Sequence, residues 1–408
     1  MTPLFASIPL GRAVQQIRQK AVASDFKIAL ENIESWTGRL IENETASFES
    51  EGIAFSKGDV LFGKLRPYLA KVIEVGRNGS AVGDLWVLRP VKYTPRYLKY
   101  LLLDKTFIDA VHGATFGSRM PRVSWDIARH IKLPHPEINK QQDIADFLDR
   151  ETAKIDKLIA KQEQLITTLG ERRLTLVSVA VSGLDLRQEL NEQSDPNWPQ
   201  VPKSWDLVAL KRVLAIPMTD GPHETPEFFD EGIEFISAES VSSGEIDFAK
   251  RRGFISAQEH SRYCLKYKPK MNDIYVVKSG ATTGRSAILR EERDFNIWSP
   301  LAVIRCGRRA NPFFMHYAIQ SRQFQQAISL SWTFGTQQNI GMSTLQNLKV
   351  PVPAFELQSK IVQSLDLKLT SIHRLTSACK RQLGLLTERR QSLISAAVTG
   401  KIDLSKGL

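Results

Sequence analysis

The sequence predicts an α+β protein built as a pseudo-two-fold internal repeat. Two α+β domains are separated and connected by two long helices that form an antiparallel coiled coil. Three observations carry this prediction. The chain has 408 residues, too many for one ordinary hydrophobic core. One stretch of sequence recurs about 217 residues further on without gaps. Each copy is preceded by a segment that mixes short β-rich runs with helical ones.

The repeat is read from LPHPEINKQQDIADFLD, starting at Leu133, against VPVPAFELQSKIVQSLD, starting at Val350. Pro134 falls on Pro351, Pro136 on Pro353, Gln141 on Gln358, Ile144 on Ile361, and Leu148-Asp149 on Leu365-Asp366. Further along, Glu171-Arg172-Arg173 matches Glu388-Arg389-Arg390. The copies close alike, with Ala180-Val181-Ser182-Gly183 against Ala397-Val398-Thr399-Gly400.

Both copies read as helices. Ile144, Leu148, Ile155, Leu158, Leu165, Leu169 and Leu176 follow steps of three and four, as do Ile361, Leu365, Ile372, Leu375, Leu386 and Leu393. Such spacing is the a/d pattern of a coiled-coil seam. Pro-x-Pro stops the preceding structure, and Gly183 and Gly400 stand where a helix ends. A helix of about 35 residues is roughly 50 Å long. Antiparallel pairing puts the region of Gln162 opposite that of Cys379 and brings Glu151 near Arg389 and Arg390.

The segments before the helices share faint echoes. Lys57-Gly58-Asp59-Val60-Leu61 resembles Met271-Asn272-Asp273-Ile274-Tyr275, and Thr115-Phe116-Gly117 resembles Thr333-Phe334-Gly335. Strands are expected over 59–62, 81–88, 273–277 and 301–305, and helices over 95–111 and 312–330. The boundaries that follow are 1–132 for the first domain, 133–185 for its helix, 205–349 for the second domain and 350–404 for the second helix. The Asn-, Gln-, Asp- and Pro-rich stretch 186–204 reads as a linker.

Composition narrows the function. With 42% hydrophobic and 24% charged residues the chain reads as globular. No apolar run reaches the ~18 residues of a membrane span, and no signal-peptide core opens the chain, so a cytoplasmic protein is expected. The net charge of +11 favours a polyanionic partner, of which nucleic acid is the commonest. Cys264, Cys306 and Cys379 lack metal-ligand spacing and read as reduced thiols.

Several motif look-alikes point away from chemistry. Asn311-Pro312-Phe313-Phe314 is like an adenine-methyltransferase motif, but it lacks a second proline and a glycine-rich cofactor loop, and reads as a helix start. Gly280-Ala281-Thr282-Thr283-Gly284-Arg285-Ser286 is one residue short of a phosphate loop and has Arg where Lys is needed. Asp25-Phe26-Lys27 and Asp366-Leu367-Lys368 have a nuclease-like ending without a partner carboxylate, and read as solvated charges. The histidines form no ligand pattern. No catalytic residue, cofactor site or metal site is expected in this chain.

The order of unlike segment, helix, unlike segment and helix resembles the specificity subunits of type I restriction-modification systems over nearly the whole chain. Local signatures agree. Thr219-Asp220-Gly221-Pro222-His223-Glu224-Thr225-Pro226, with Gly232-Ile233-Glu234-Phe235-Ile236-Ser237 after it, looks like an opening of that family's target-recognition domains. Asn272-Asp273-Ile274-Tyr275 with Gly280 and Gly284-Arg285 looks like a later stretch. Gly58-Asp59-Val60-Leu61-Phe62-Gly63-Lys64-Leu65-Arg66-Pro67-Tyr68-Leu69 looks like a variant from the first such domain. The family's helix often opens Pro-Pro-Leu-x-Glu-Gln; here Gln141 and Gln358 match, whereas Lys140 and Leu357 replace the Glu.

The resemblance implies that each target-recognition domain reads one half of a bipartite site in double-stranded DNA. The helices set the gap and dock two methyltransferase subunits, which carry S-adenosylmethionine. Restriction/translocase subunits supply the ATP- and Mg2+-dependent steps. Base reading needs Arg, Asn or Gln, and phosphate contact needs Lys, Arg, Ser or Thr. In the second domain these residue types cluster in Thr336-Gln337-Gln338-Asn339 and in Ser279, Thr282, Thr283 and Arg285. In the first they cluster in Ser118, Arg119 and Arg122 and in Lys64, Arg66 and Tyr68. His223 reads as a turn-stabilising residue or a base reader, and the loops as DNA contacts or ordinary solvated turns. Glu171-Arg172-Arg173 and its copy read as structural or subunit-docking residues, or as phosphate clamps. Two rivals remain: a coiled-coil protein-interaction scaffold without DNA specificity, and an enzyme too diverged for its motifs to show.

Overall fold

The computed structural model describes residues 5–21, 26–41, 52–117, 119–186, 188–242, 244–332 and 338–402. Contacts divide the chain into two units, Met1–Gln164 with Cys379–Leu408, and Leu165–Ala378.

The first unit is centred on a four-stranded antiparallel sheet of β1 (Val14–Ile17), β2 (Val60–Gly63), β3 (Val72–Glu74) and β4 (Leu85–Pro90), in the order β1-β4-β2-β3. Strand β2 is buried on both faces. Val60 and Phe62 join the core beneath α1 (Pro95–Leu103) and α2 (Lys105–Gly113), while Leu61 joins Ile73 and Val87 in a second cluster on the opposite face. This is the period-two alternation of a strand covered on both sides. The expected helix over 95–111 is broken at Asp104, whose extended backbone (φ −65°, ψ 132°) ends α1 and begins α2. The long helix α3 (Ile138–Ser182) then starts.

The second unit repeats the plan with β5 (Thr219–Asp220), β6 (Ile274–Val277), β7 (Ser286–Ile288) and β8 (Leu301–Ile304), in the order β5-β8-β6-β7. Ile274 and Val276 face the helical core, and Tyr275 and Val277 the second cluster. Helices α4 (Pro312–Gln320) and α5 (Arg322–Leu330) are broken at Ser321, as the first pair is at Asp104. Asn311 accepts from the Phe313 and Phe314 N–H groups, so Asn311-Pro312 is an N-cap followed by proline at the first helical position. The second long helix, α6, spans Phe355–Val398.

Repeated residues do repeated work. Asp59, at the start of β2, makes two 2.9 Å bonds with the Arg89 guanidinium, and Asp273, at the start of β6, makes two 2.7 Å bonds with Arg305. The residue before each carboxylate is left-handed, Gly58 at φ 88° and Asn272 at φ 71°. Gln141 accepts from Thr94 N (2.8 Å) and donates to Lys92 O (3.2 Å) and Pro136 O (2.9 Å). Gln358 accepts from Asn311 N (2.7 Å) and donates to Arg309 O (2.9 Å) and Pro353 O (2.8 Å). Each glutamine thus pins the start of a long helix to the chain entering α1 or α4. Asp149 accepts from the Tyr100 hydroxyl and Asp366 from the Tyr317 hydroxyl, so Asp366 is more than a solvated charge. Both long helices end in a Schellman motif, Leu184 N–H bonding Val179 O around Gly183, and Lys401 N–H bonding Ala396 O around Gly400.

The helices run 45 and 44 residues, longer than the seam pattern alone suggested, because helix begins within a few residues of each Pro-x-Pro. Within the first unit, Ile144, Phe147 and Leu148 share a core with Ile394, Ala397 and Val398. Within the second, Val177, Ala180 and Val181 share one with Ile361, Val362 and Leu365. In both, the early part of one helix lies beside the late part of the other, which is antiparallel pairing.

Three expectations change in detail. Leu158, Leu165 and Leu375 are 48%, 44% and 54% exposed rather than seated in a seam. A strict heptad drifts by about 20° per repeat on a straight helix, so heptad spacing alone does not hold every apolar position against the partner helix. Glu151 bonds Arg150 and Lys154 on its own helix, and Arg390 instead pairs with Asp156, further along that helix. The stretch Glu189–Pro202, expected to be a linker, contains a hairpin of Leu190–Glu192 with Gln200–Pro202. Its Trp198 is fully buried and donates to Lys349 O, and an indole seated in a core fixes a segment whose polar composition suggests none.

Candidate nucleic-acid interface

The loop leaving β2 is stitched to the segment before residue 124. Val123 N–H bonds Lys64 O at 3.0 Å and Arg66 N–H bonds Pro121 O at 2.7 Å, with Leu65 opposite Arg122. Phe116 and Arg122 exchange two 3.0 Å backbone bonds on the other side. The two first-domain loops named from sequence are therefore one surface. Arg66 is left-handed (φ 49°, ψ 59°), a conformation that costs a non-glycine residue on the order of 1 kcal/mol. Its guanidinium is exposed, and neither it, Lys64 nor Arg119 has an ion-pair partner among the described residues. Tyr68 is 41% exposed and rests edge-on against His112 at 5.3 Å. Arg122 is more committed, since its side chain reaches Asp84 at 3.1 Å. Ser118 lies outside the described residues.

The second unit repeats the stitch. Ile340 N–H bonds Lys278 O (2.8 Å) and Gly280 N–H bonds Gln338 O (3.0 Å), with Ser279 opposite Asn339. The Thr283 hydroxyl donates to Gly280 O (2.7 Å) and Gln338 O (3.2 Å). Gly280 (φ 99°) and Gly284 (φ 91°) let the chain double back from β6 into β7, so this stretch is a hairpin turn and not a strand-to-helix phosphate loop. Gln338, Asn339 and Arg285 are exposed; Ser279 and Thr282 are half-buried. Thr336 and Gln337 lie outside the described residues, as do Thr333, Phe334 and Gly335.

His223 stands beside the same loop with its side chain 73% exposed and Nε2 3.2 Å from Asp220 Oδ2. Asp220 also receives Lys266 Nζ at 2.7 Å and Lys278 Nζ at 3.0 Å. Burial works to raise the Asp220 pKa, but hydrogen bonds from the two lysines outweigh it and hold the carboxyl below its usual range. The carboxylate that His223 meets is also the one that fixes Lys278.

Two features went unnoticed in the sequence. Phe116 and Met120 are 62% and 53% exposed at the tip of the first loop, where apolar groups can meet a thymine methyl or stack on a base. The only signal was Thr115-Phe116-Gly117, which reads as an echo of fold. Among the described residues no group of three or more His, Cys, Asp or Glu side chains is placed to hold a metal ion. Among the described residues no helix is long and apolar enough to cross a membrane.

The family model of the type I restriction modification DNA specificity domain matches residues 32–168 and again residues 202–380. The chain belongs to this specificity-domain family. Among relatives of this specificity chain, it is 24% identical over 350 residues to the EcoBI specificity subunit of Escherichia coli, covering 80% of this chain and 73% of that one. It is 21% identical over 352 residues to the MjaVIII specificity subunit of Methanocaldococcus jannaschii, covering 85% and 76%. A solved chain from work on complex assembly and conformational transition of the type I R-M system superposes with a TM-score of 0.69 at 17% identity, covering 98% of this chain and 99% of that one. At that identity the likeness shows the fold, which is the two-domain, two-helix plan expected from the repeat.

Proposed function

We propose that this chain is the sequence-reading, non-catalytic subunit of a type I restriction-modification complex. Residues 1–132 and 205–349 act as its target-recognition domains, and each reads one half of a bipartite DNA site. The first uses Lys64, Arg66, Tyr68, Arg119 and Arg122, and the second Ser279, Thr282, Arg285, Gln338 and Asn339. Arg119 and Arg122 suit guanine, and Gln338 and Asn339 suit adenine. Helices α3 and α6 set the gap and dock two methyltransferase subunits, which carry S-adenosylmethionine. Restriction/translocase subunits add the ATP- and Mg2+-dependent steps, and the assembly works in the cytoplasm.

One observation carries this reading. The same backbone stitch recurs in both units, Lys64–Val123 and Lys278–Ile340, while the side chains mounted on it differ. A constant scaffold with two unlike surfaces is what a site with two unlike halves requires. The test is footprinting of the chain, with and without methyltransferase subunits, on a library of duplexes. A split footprint supports the reading; a chain and complex that protect no DNA would refute it in favour of a protein-interaction scaffold.

A further inference from the structure

The two copies of Glu-Arg-Arg do not have the same surroundings. In the first unit Arg390 is 5% exposed and fully engaged. It bonds Asp156 Oδ1 (2.8 Å) and Oδ2 (3.5 Å) and donates to Trp36 O (2.7 Å) and Thr37 O (3.1 Å). Its repeat counterpart is Arg173, in the second unit. The repeat register that puts Arg173 on Arg390, Asp149 on Asp366 and Ile155 on Ile372 puts Asp156 on His373. The carboxylate that neutralises one arginine is replaced by an imidazole beside the other.

Arg173 has accordingly lost its anion. Its guanidinium donates to Gln320 Oε1 at 2.6 Å, and no carboxylate among the described residues lies within ion-pair distance. It opens into a cleft of about 500 Å³ with Arg290, His373 and Arg374. Two acids face the same space, but both are engaged, Glu245 with Arg290 at 3.7 Å and Asp366 with the Tyr317 hydroxyl. Arg374 also has no ion pair among the described residues. Burial holds His316, on the cleft wall, down at about 4, so it is neutral at pH 7, and burial likewise lowers the Arg173 pKa. A half-buried guanidinium without a counter-charge is costly unless an anion joins it.

We propose that this cleft is a phosphate-binding site, in which Arg173, Arg374 and His373 hold an oxyanion at the place Asp156 fills for Arg390. More than one cation lacks a partner there, which suits a group with several acceptor oxygens better than a single carboxylate. An adjoining cleft of about 380 Å³ shares Arg173, Gly244 and Gln320 and reaches Gly284 and Arg285 in the proposed reading loop. The phosphate in the working complex is therefore one of the DNA backbone, a second statement that rests on the DNA-reading proposal.

Two measurements on the intact chain test this, each on the wild type, His373→Asp and Arg173→Gln. The first is thermal melting in inorganic phosphate against chloride at matched ionic strength. Phosphate at about five times its dissociation constant should raise the wild-type melting temperature by roughly 2–4 °C. H373D, which rebuilds the pair seen at Arg390, should melt higher than wild type without phosphate and no longer respond to it. An equal response in wild type and H373D, or none in either, overturns the site. The second is the salt dependence of duplex binding, whose slope should flatten by about one unit in H373D and R173Q. Identical slopes beside the expected melting pattern overturn DNA as the source and leave free phosphate as the ligand. If neither the chain nor its complex with methyltransferase subunits binds duplex, the DNA-reading proposal falls, while the melting experiment still decides the site.

Discussion

Gln358 offers a quantitative test of how the long helices are fastened to the recognition domains. Its side chain is fully buried, and its amide satisfies one backbone N–H and two backbone carbonyls, at 2.7, 2.9 and 2.8 Å. Removing the amide leaves one buried and two partly buried backbone groups without partners. Each such group costs about 1–3 kcal/mol. Local relaxation and water entering the vacated space recover part of this, so Gln358→Ala should destabilise its unit by about 3–5 kcal/mol. Gln358→Met fills the space without hydrogen bonds and should cost nearly as much, which separates lost bonds from the cavity. The assay is urea unfolding followed by tryptophan emission, because Trp198 and Trp205 sit in the core of that unit. Gln141→Ala should destabilise the first unit by a similar amount, and the double variant should show both losses independently, since the two clamps share no partner. A Q358M variant within about 0.5 kcal/mol of wild type would refute the clamp.

Three further outcomes are expected. The purified chain, free of partner subunits, should transfer no methyl group from labelled S-adenosylmethionine to DNA; measurable incorporation would make it an enzyme. Lys64→Ala should weaken binding to specific and random duplexes alike and flatten the salt slope by about one unit, as loss of a phosphate contact does, whereas a sequence-selective loss would make Lys64 a base reader. Four residues inserted after Thr168 lengthen α3 by about 6 Å, close to one helical turn, with a local stutter. The assembled enzyme should then keep both half-site sequences and widen the gap by about one or two base pairs; an unchanged gap would show that α3 is not the ruler.

The repeat made the architecture readable because the same physical tasks recur in each half. Gln141 and Gln358, Asp149 and Asp366, and Gly183 and Gly400 have the same partners or backbone shape in both copies. The recognition segments were harder to align, since a sheet fixes only its buried alternation and leaves the surface free to vary. The Asp59–Arg89 and Asp273–Arg305 pairs show that the faint Gly58-Asp59 and Asn272-Asp273 echo was real. Sequence named both loops of each domain but could not join them, because pairing Leu65 with Arg122 spans more than fifty residues and depends on non-local backbone bonds. Trp198 and the exposed Phe116 were misjudged for a related reason: whether an aromatic is buried depends on what the fold brings over it. The unequal environments of Arg390 and Arg173 became visible only when each arginine's partners were compared.

The central claim is that each stitched loop pair reads one half of one DNA site. Methylome sequencing of cells that express the chain with its partner subunits tests it most directly, comparing wild type with Arg119→Ala and with Gln338→Ala. Wild type should yield one bipartite motif. Each variant should lose about 1–3 kcal/mol of discrimination per bidentate contact removed, confined to one half and to opposite halves in the two variants. Relaxation in both halves from a single substitution, or an unaltered motif from both, would contradict the account.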